Sequence, residues 1–391
     1  MSETILARLG DLPVETFLRD YWQRKSGFFP AALPGFVSPL APEDLAGLAL
    51  EEDIESRLVV HSPSAPWQLE HGPFTEQRFS RLPERDWTLL VQAVDHWVPE
   101  IHQLLQRFRF IPSWRLDDVM ASYAPAGGSV GPHFDYYDVF LVQGAGCRRW
   151  QIGQHCDSTS PTLDGTALKI LSQFEEKQSY LAKPGDILYI PPGVAHWGSA
   201  MDDECITYSI GFRAPSHADI LSDLSQDLAS RLTNDHRYRD TLLDPSLPAG
   251  QIPDSTIANL KNIILHQLDD ESIGEWFGCY MTSPKYSGTE QPNDTLDALQ
   301  QHRLQETNPL IEANRASRFS YRRGATRTRL YVDGQGHDCS EALAICLCQH
   351  NLWPWQTLLD TANDTADTEL LYQLLSEQAL VEADDLLLDD Q

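Results

Sequence analysis

The pattern of apolar and polar positions changes character three times along the chain. In residues 1–110, loops alternate with segments in which apolar side chains recur every three or four residues, the spacing of an amphipathic helix. This spacing predicts helices over 11–25, over 38–58 and over 85–108. The segment 85–108 has the longest helical period, and its predicted apolar face comprises Leu90, Val91, Val94, Trp97, Ile101 and Leu104.

Residues 111–215 predict β-strands instead. Short runs rich in β-branched and aromatic residues alternate there with glycine and proline turns, as in VMASYAP, FDYYDVFLVQ, RRWQIG, DILYIPP and CITYSIGFRAP. Many short strands separated by such turns are typical of a sandwich or a barrel.

Helical spacing returns after Pro215. The segment 216–232 predicts an amphipathic helix with Ser216 as its N-cap, and two further helices are expected over 254–268 and 273–281. Residues 327–339 predict a hairpin, followed by helices near 340–350 and 366–381. A hairpin followed by helices in a module of this size is compatible with a winged helix.

Composition narrows the classes of protein. A net charge of −28 over 391 residues argues against broad affinity for nucleic-acid backbones and fits a basic partner, although much acidic surface simply aids solubility. The seven cysteines have no framework spacing, so we expect reduced thiols rather than disulfides or a zinc site. The chain opens without a charged-then-apolar leader and has no apolar run of about 18 residues, so we expect a cytoplasmic protein.

Three side chains carry the predicted chemistry. His133 and Asp135 form a His-x-Asp pair, and His196 follows 63 residues later. In a strand alternate side chains share a face, so both members of the pair should point into the barrel. Two histidines and one carboxylate bind one face of a metal and leave the other face open, as in non-haem Fe(II) oxygenases. A single histidine is more often structural, but this combination favours a metal site.

The surrounding spacing agrees with this interpretation. Gly185, Pro191 and His196 follow the glycine, five residues, proline, four residues, histidine pattern of cupin-type double-stranded β-helix barrels. A cupin with four ligands would have a glutamate where Val139 stands, and Asp135 takes the place of its second histidine. The predicted site therefore has three protein ligands and open positions for a co-substrate and O₂.

Such an oxygenase needs two further electrons, for which 2-oxoglutarate is the usual source. The distal carboxylate of that diacid needs a cation inside the barrel. The CRRW segment places Arg148 and Arg149 on opposite faces of a strand. We predict that Arg148 points inward and binds 2-oxoglutarate, and that Arg149 is exposed.

The segments GPHFDYYDVFLVQGAGCRRWQIG and KPGDILYIPPGVAHWG resemble the JmjC-type ribosomal oxygenases, in particular the bacterial group that hydroxylates an arginine of large-subunit ribosomal protein sixteen. The likeness covers most of residues 15–216 and is weaker beyond. It implies an α+β chain with a double-stranded β-helix (cupin/JmjC) barrel and N-terminal helices in 1–215. It also implies a helical dimerisation region in 216–290, hence a homodimer, and a small winged-helix-like domain in 291–391.

The resemblance also implies roles for individual residues. Iron would be held by His133, Asp135 and His196, and 2-oxoglutarate by Arg148. In the substrate pocket, Asp118 would pair with a guanidinium, Met120 and Tyr137 would flank its aliphatic stem, and Ser209 would add a polar contact. From the residues alone, Asp118 could equally be a solvated side chain at a strand entrance, and Tyr137 a core aromatic.

These observations predict an Fe(II)- and 2-oxoglutarate-dependent hydroxylase that acts on the β-carbon of an arginine in a ribosomal protein. The alternatives are a histidine hydroxylase or lysine demethylase of the same class, a cupin isomerase or sugar-binding barrel, and a non-catalytic ribosome-associated adaptor. The adaptor rests on arginines at 315, 318, 322, 323, 327 and 329. Nucleic-acid contact is not favoured, because these arginines can balance residues 340–391, which contain acids but no Lys or Arg.

Overall fold

The computed structural model describes residues 4–62, 65–240, 243–286, 296–324 and 327–383. Contacts within the chain divide it into two units, residues 1–214 and 215–391. The first unit contains β1 (Arg8–Leu9), β2 (Leu12–Pro13), α1 (Val14–Asp20), β3 (Gly27–Phe29), α2 (Pro42–Leu48), β4 (Ser56–Ser62), β5 (Ala65–His71), α3 (Glu76–Phe79), β6 (Trp87–Val91), α4 (Val94–Trp97), α5 (Pro99–Gln106), β7 (Leu116–Ala124), β8 (Val139–Ala145), β9 (Arg148–His155), β10 (Gln178–Ala182), β11 (Ile187–Ile190), β12 (Val194–Ala200) and β13 (Cys205–Phe212).

Two antiparallel sheets form the barrel of the first unit. The large sheet has eight strands in the order β3-β11-β8-β13-β7-β6-β4-β5, and the small sheet has three in the order β10-β9-β12. Leu141 and Leu188 of the large sheet pack against Trp150 and Ile152 of the small one. The inner faces of the two sheets therefore share one core, as the strand pattern predicted.

The outer face of the large sheet is covered by the N-terminal elements. Phe17 of α1 is fully buried, and its ring contacts Phe29, Phe140 and Tyr189. Since both faces of the sheet are covered, β11 is buried at all four positions. Strands of this kind have continuous apolar runs rather than an alternating pattern.

The prediction of one helix over 85–108 was wrong. Residues 87–91 form β6, and only 94–97 and 99–106 are helical. Four of the five residues of β6 are buried, so its apolar run lacks the alternation that marks a strand. The run therefore looked like the beginning of the helical spacing that follows it. Trp97, expected on the apolar face, is 48% exposed.

The second predicted helix is also shorter than expected. It covers only 42–48 of the predicted 38–58, and the chain then enters the β4–β5 hairpin, which the pattern did not predict. In the barrel, the strand expected from Phe134 begins only at Val139. Residues 134–138 form a loop, which matters for the site described below.

The second unit contains α6 (His217–Ser230), α7 (Asp254–Leu265), α8 (Asp270–Thr282), α9 (Ala298–Thr307), β14 (Leu310–Ala313), β15 (Phe319–Arg323), β16 (Thr328–Val332), β17 (Gln335–Cys339), α10 (Glu341–Gln349), β18 (Leu352–Pro354), α11 (Trp355–Thr361), α12 (Thr365–Ser376) and β19 (Leu380–Glu382). As predicted, Ser216 caps α6: its hydroxyl accepts the Asp219 backbone N–H at 3.0 Å. The predicted hairpin is β16–β17.

A separate core holds the C-terminal part of the second unit together. It is built from α10, α11 and α12 around two three-stranded sheets, with Trp355, Leu343 and Leu371 fully buried. The predicted boundary at 290–291 lies outside the described residues, so the finer division at that point stays a prediction. All seven cysteines are free thiols. No helix among the described residues is long and apolar enough to cross a membrane.

Candidate active site

Backbone pairing brings the three predicted ligands together. The His133 N–H donates to the His196 carbonyl at 3.0 Å, and the His196 N–H donates to the His133 carbonyl at 2.8 Å. The Gly193 N–H donates to the Asp135 carbonyl at 2.7 Å. His133 thus forms an isolated bridge with β12 rather than lying in a strand with Asp135, as the alternation argument assumed.

The side chains converge at this bridge. Asp135 Oδ2 lies 3.9 Å from His133 Nε2 and 3.7 Å from His196 Nε2, and one ligand atom of each residue lies within 4.8 Å of the others. This is the only such group of three among the described residues. A single ion can contact all three donors from one side.

Each imidazole is oriented as a metal ligand. The distance from His133 Nδ1 to the Gly131 carbonyl is 3.0 Å, and that from His196 Nδ1 to the Val194 carbonyl is also 3.0 Å. A carbonyl only accepts, so each Nδ1 carries the proton and each Nε2 keeps a lone pair. Burial, followed by the nearby His133, lowers the pKa of His196 to about 4. His196 is therefore neutral near pH 7, in the form that binds metals.

A buried cation lies on the same inner face. Arg148 of β9 is 3% exposed, and its Nε donates to Cys205 Sγ at 3.3 Å. Its Nη2 has no hydrogen-bond partner in the described part of the chain. The guanidinium lies over the Trp150 ring, which in turn neighbours His196. A buried guanidinium nitrogen lacking a partner suits the distal carboxylate of a diacid.

The alternation argument places the two adjacent arginines correctly. Arg149 is exposed and donates to Ser179, whereas Arg148 points into the barrel. That Arg148 binds 2-oxoglutarate stays a prediction.

Three of the predicted substrate-binding residues, Asp118, Met120 and Ser209, lie close together on two adjacent strands. Asp118 and Met120 share a face of β7, and Met120 lies opposite Ser209 of β13. Asp118 is 3% exposed, so it is not a solvated side chain at a strand entrance. Its Oδ1 accepts from Gln92 Nε2 at 2.9 Å.

Tyr137 connects this pocket to the ligands. It is 43% exposed, so it is not a core aromatic. Burial of its hydroxyl, then the Asp135 carboxylate, raises the pKa of Tyr137, and Asp118 adds to the increase. The phenol therefore keeps its proton near pH 7 and hydrogen-bonds the Asp135 carboxylate.

Sequence reasoning missed Asp138, which anchors the loop 134–138. This loop carries Asp135 and is termed the ligand loop. Asp138 is fully buried and accepts hydrogen bonds from Tyr189 Oη at 2.6 Å, Gln23 Nε2 at 2.9 Å and an Arg115 guanidinium nitrogen at 3.1 Å. Burial raises the pKa of this carboxyl, against the effect of its three partners. No local signal separates Asp138 from the other acids before strands, because its partners come from 23 to 115 residues away.

Comparison with known proteins identifies the family. Residues 103–220 match the JmjC domain family, residues 262–381 the ROXA-like winged helix, and residues 171–274 the AraC-like ligand binding domain. The chain is 34% identical over 396 residues to a probable ribosomal oxygenase of Haemophilus influenzae (strain ATCC 51907 / DSM 11121 / KW20 / Rd), covering 95% of this chain and 94% of that one. The chain belongs to the JmjC ribosomal oxygenases.

Other members agree with this assignment. The ribosomal protein uL16 3-hydroxylase of Escherichia coli (strain K12) is 36% identical over 299 residues, 73% of this chain and 77% of that one. The X-ray structure of E. coli YcfD superposes with a TM-score of 0.87 at 29% identity over 95% of this chain and 99% of that one. YcfD in complex with cobalt and 2-oxoglutarate gives 0.83 at 29% identity, over 96% and 99%. The predicted barrel and winged helix are confirmed as the fold of this ribosomal oxygenase.

Replacing the predicted carboxylate ligand should strongly weaken metal binding without unfolding the protein. We expect Asp135→Ala to weaken Fe(II) or Co(II) binding by more than about 100-fold, beyond the cost of losing a group that only orients a ligand. Calorimetric titration with Co(II) measures the affinity, and circular dichroism measures the fold. Asp164→Ala, at an exposed position, is the matched control and should bind normally. Normal Co(II) binding by Asp135→Ala would contradict the assignment.

Removing the anchor of the ligand loop should cost stability. Asp138→Ala leaves the Arg115 guanidinium, whose side chain is 17% exposed, without its carboxylate. We expect a loss of about 3 kcal/mol in the free energy of unfolding, measured by urea denaturation. Asp20→Ala, which removes the exposed Arg19 pair, should leave the transition nearly unchanged. Equal midpoints for the two variants would show that Asp138 anchors nothing.

Proposed function

We propose that this chain is an Fe(II)- and 2-oxoglutarate-dependent protein hydroxylase acting on the β-carbon of an arginine in a large-subunit ribosomal protein. The observation that carries the proposal is the convergence of His133, Asp135 and His196 within 4.8 Å, with both Nε2 lone pairs available. The E. coli relative named as a ribosomal protein uL16 3-hydroxylase supports both the reaction and the class of substrate.

Different residues of the barrel would have different roles in the reaction. Iron, bound with 2-oxoglutarate and O₂, supplies the oxidising power that inserts oxygen into an unactivated C–H bond. His133, Asp135 and His196 would hold the ion from one side and keep the other side open. Arg148 would bind the distal carboxylate of 2-oxoglutarate away from water, where a charge-assisted hydrogen bond is strong.

The pocket would place the target carbon. Asp118 would pair with the substrate guanidinium, Met120 and Tyr137 would flank the stem, and Ser209 would add a polar contact. Holding the far end of a side chain fixes the position of its β-carbon, which is the main contribution that a protein makes to such a reaction. The net charge of −28 favours encounter with a basic ribosomal protein. A substrate of this class would place the reaction in the cytoplasm.

Two alternatives are less well supported. A buried carboxylate in the pocket suits a cation better than a neutral imidazole, which favours arginine over histidine. For the adaptor, the arginines between 314 and 330 are already engaged with acids, as in the ion pairs Arg315–Glu312, Arg322–Glu271, Arg323–Glu341, Arg327–Asp338 and Arg329–Glu275. Phosphate contact would have to compete with these acids.

A homodimer through 216–290 is supported by α7. This helix has no buried residue, and Ile257, Leu260, Ile263, Ile264 and Leu265 are each more than 40% exposed. An apolar helix face of this kind needs a partner surface.

Hydroxylation is tested with the intact protein, Fe(II), 2-oxoglutarate and ribosomal-protein fragments. We expect mass spectrometry to find one added oxygen on the arginine fragment and none on a fragment with that arginine changed to lysine. Arg148→Met should lose turnover at low 2-oxoglutarate and regain part of it at high 2-oxoglutarate. An oxidised histidine fragment beside an unmodified arginine fragment would move the assignment to histidine hydroxylation.

Dimerisation is tested by light scattering. Ile257→Glu with Ile264→Glu places charges on the exposed apolar face of α7 and should halve the measured mass. Asn262→Glu, on the opposite side of the same helix, should leave the mass unchanged. A monomeric wild-type protein would contradict the proposal.

A further inference from the structure

A chain of hydrogen bonds begins outside the predicted site and ends on Asp118, which belongs to it. An Arg57 guanidinium nitrogen donates to Gln92 Oε1 at 2.9 Å, and Gln92 Nε2 donates to Asp118 Oδ1 at 2.9 Å. Arg57 lies on β4, and Gln92 directly follows β6. These three side chains therefore connect three strands of the large sheet.

The amide of Gln92 has a defined orientation in this chain. A guanidinium only donates, so it requires the amide oxygen, and a carboxylate accepts, so it requires the amide nitrogen. Rotating the amide by 180° would bring two donors together at Arg57 and two acceptors together at Asp118. The backbone of Gln92 is also held, since its N–H donates to the Glu55 carbonyl at 2.9 Å.

The backbone that carries Asp118 is fixed from its other side. Asp95 is buried, and its Oδ1 accepts the N–H of Val119, the next residue along β7, at 2.7 Å. With its backbone and one carboxylate oxygen both held, Asp118 has little freedom to turn. A carboxylate oxygen accepts more than one hydrogen bond, so the contact with Gln92 does not exclude a ligand.

Arg57 also lies against the pocket wall. The same Arg57 nitrogen lies 3.5 Å from Met120 Sδ. Burial raises the pKa of Tyr137, and the positive charge of Arg57 partly opposes this increase. The neutral amide of Gln92 stands between this cation and Asp118. Its orientation reaches the carboxylate through the hydrogen bond from Gln92 Nε2 to Asp118 Oδ1.

We propose that Gln92 is a positioning residue that fixes Asp118 for a planar, bidentate cation, with Arg57 as its anchor, and so favours arginine over other substrate side chains. The inference rests on the proposed function, since it concerns the same pocket. A bidentate guanidinium needs the plane of the carboxylate to coincide with its own plane. An ammonium or an imidazole donates from a single atom and has no such requirement. Loss of Gln92 should therefore weaken arginine binding selectively.

The test uses steady-state kinetics of the intact protein with Fe(II), 2-oxoglutarate and an arginine-containing ribosomal-protein fragment. Gln92→Leu should raise KM for the fragment roughly 10- to 100-fold, the usual effect of a hydrogen bond to a charged group. KM for 2-oxoglutarate and fragment-independent 2-oxoglutarate consumption should stay within about two-fold, which also reports that the barrel is folded. Gln92→Glu should be at least as impaired, because it sets a carboxylate against Asp118.

Two further variants separate positioning from general damage. Gln356→Leu removes the same kind of bond, from Gln356 Nε2 to Asp360 Oδ1 at 2.8 Å on the exposed side of α11, and should behave as wild type. In an Asp118→Asn background, Gln92→Leu should add little further loss, because its effect runs through Asp118.

The outcomes distinguish the inference from the function beneath it. An unchanged fragment KM in Gln92→Leu, with hydroxylation of arginine by the wild type, overturns the inference and leaves the proposed function standing. Equal rises in KM for the fragment and for 2-oxoglutarate also overturn it, because they indicate a structural role. A wild-type protein that leaves the arginine fragment unmodified overturns the proposed function and the inference together.

Discussion

The two backbone hydrogen bonds between His133 and His196 join parts of the chain that come from different sheets. His196 belongs to β12 of the small sheet, and His133 lies in the connection between β7 and β8 of the large sheet. The bridge sets the spacing of the two imidazoles, and the Gly193 bond to Asp135 adds the carboxylate. In this candidate metal site, backbone hydrogen bonds fix the spacing of the segments that carry the three side chains.

The position of this bridge depends on burial around it. The large sheet has a core on each face, one against the N-terminal elements and one against the small sheet. The space between the two sheets also holds buried polar groups, Asp118 from the large sheet and Arg148 and His196 from the small one, each at most 3% exposed. Polar groups buried in this way are costly unless they are paired with one another or with a ligand.

Two polar networks keep the loop and the pocket in place. Asp138 ties the ligand loop to Arg115, Gln23 and Tyr189, and Asp95 and Gln92 tie down the strand that carries Asp118. Both networks connect residues that are far apart in sequence. The carboxylates are thereby held in place before any ligand binds, which is the advantage of preorganisation.

The sequence alone predicted the three side chains of the candidate metal site, because residue type and spacing are local properties of GPHFD and IPPGVAH. It also predicted the β-rich core, the cap at Ser216 and the inward side of Arg148, since alternation along a strand is a local property. Three features were decided only by tertiary structure: strand β6, the loop at 134–138, and the partners of Asp118 and Asp138. Burial on both faces removes the alternation that marks a strand, and hydrogen bonds between distant segments leave no periodic trace in the chain.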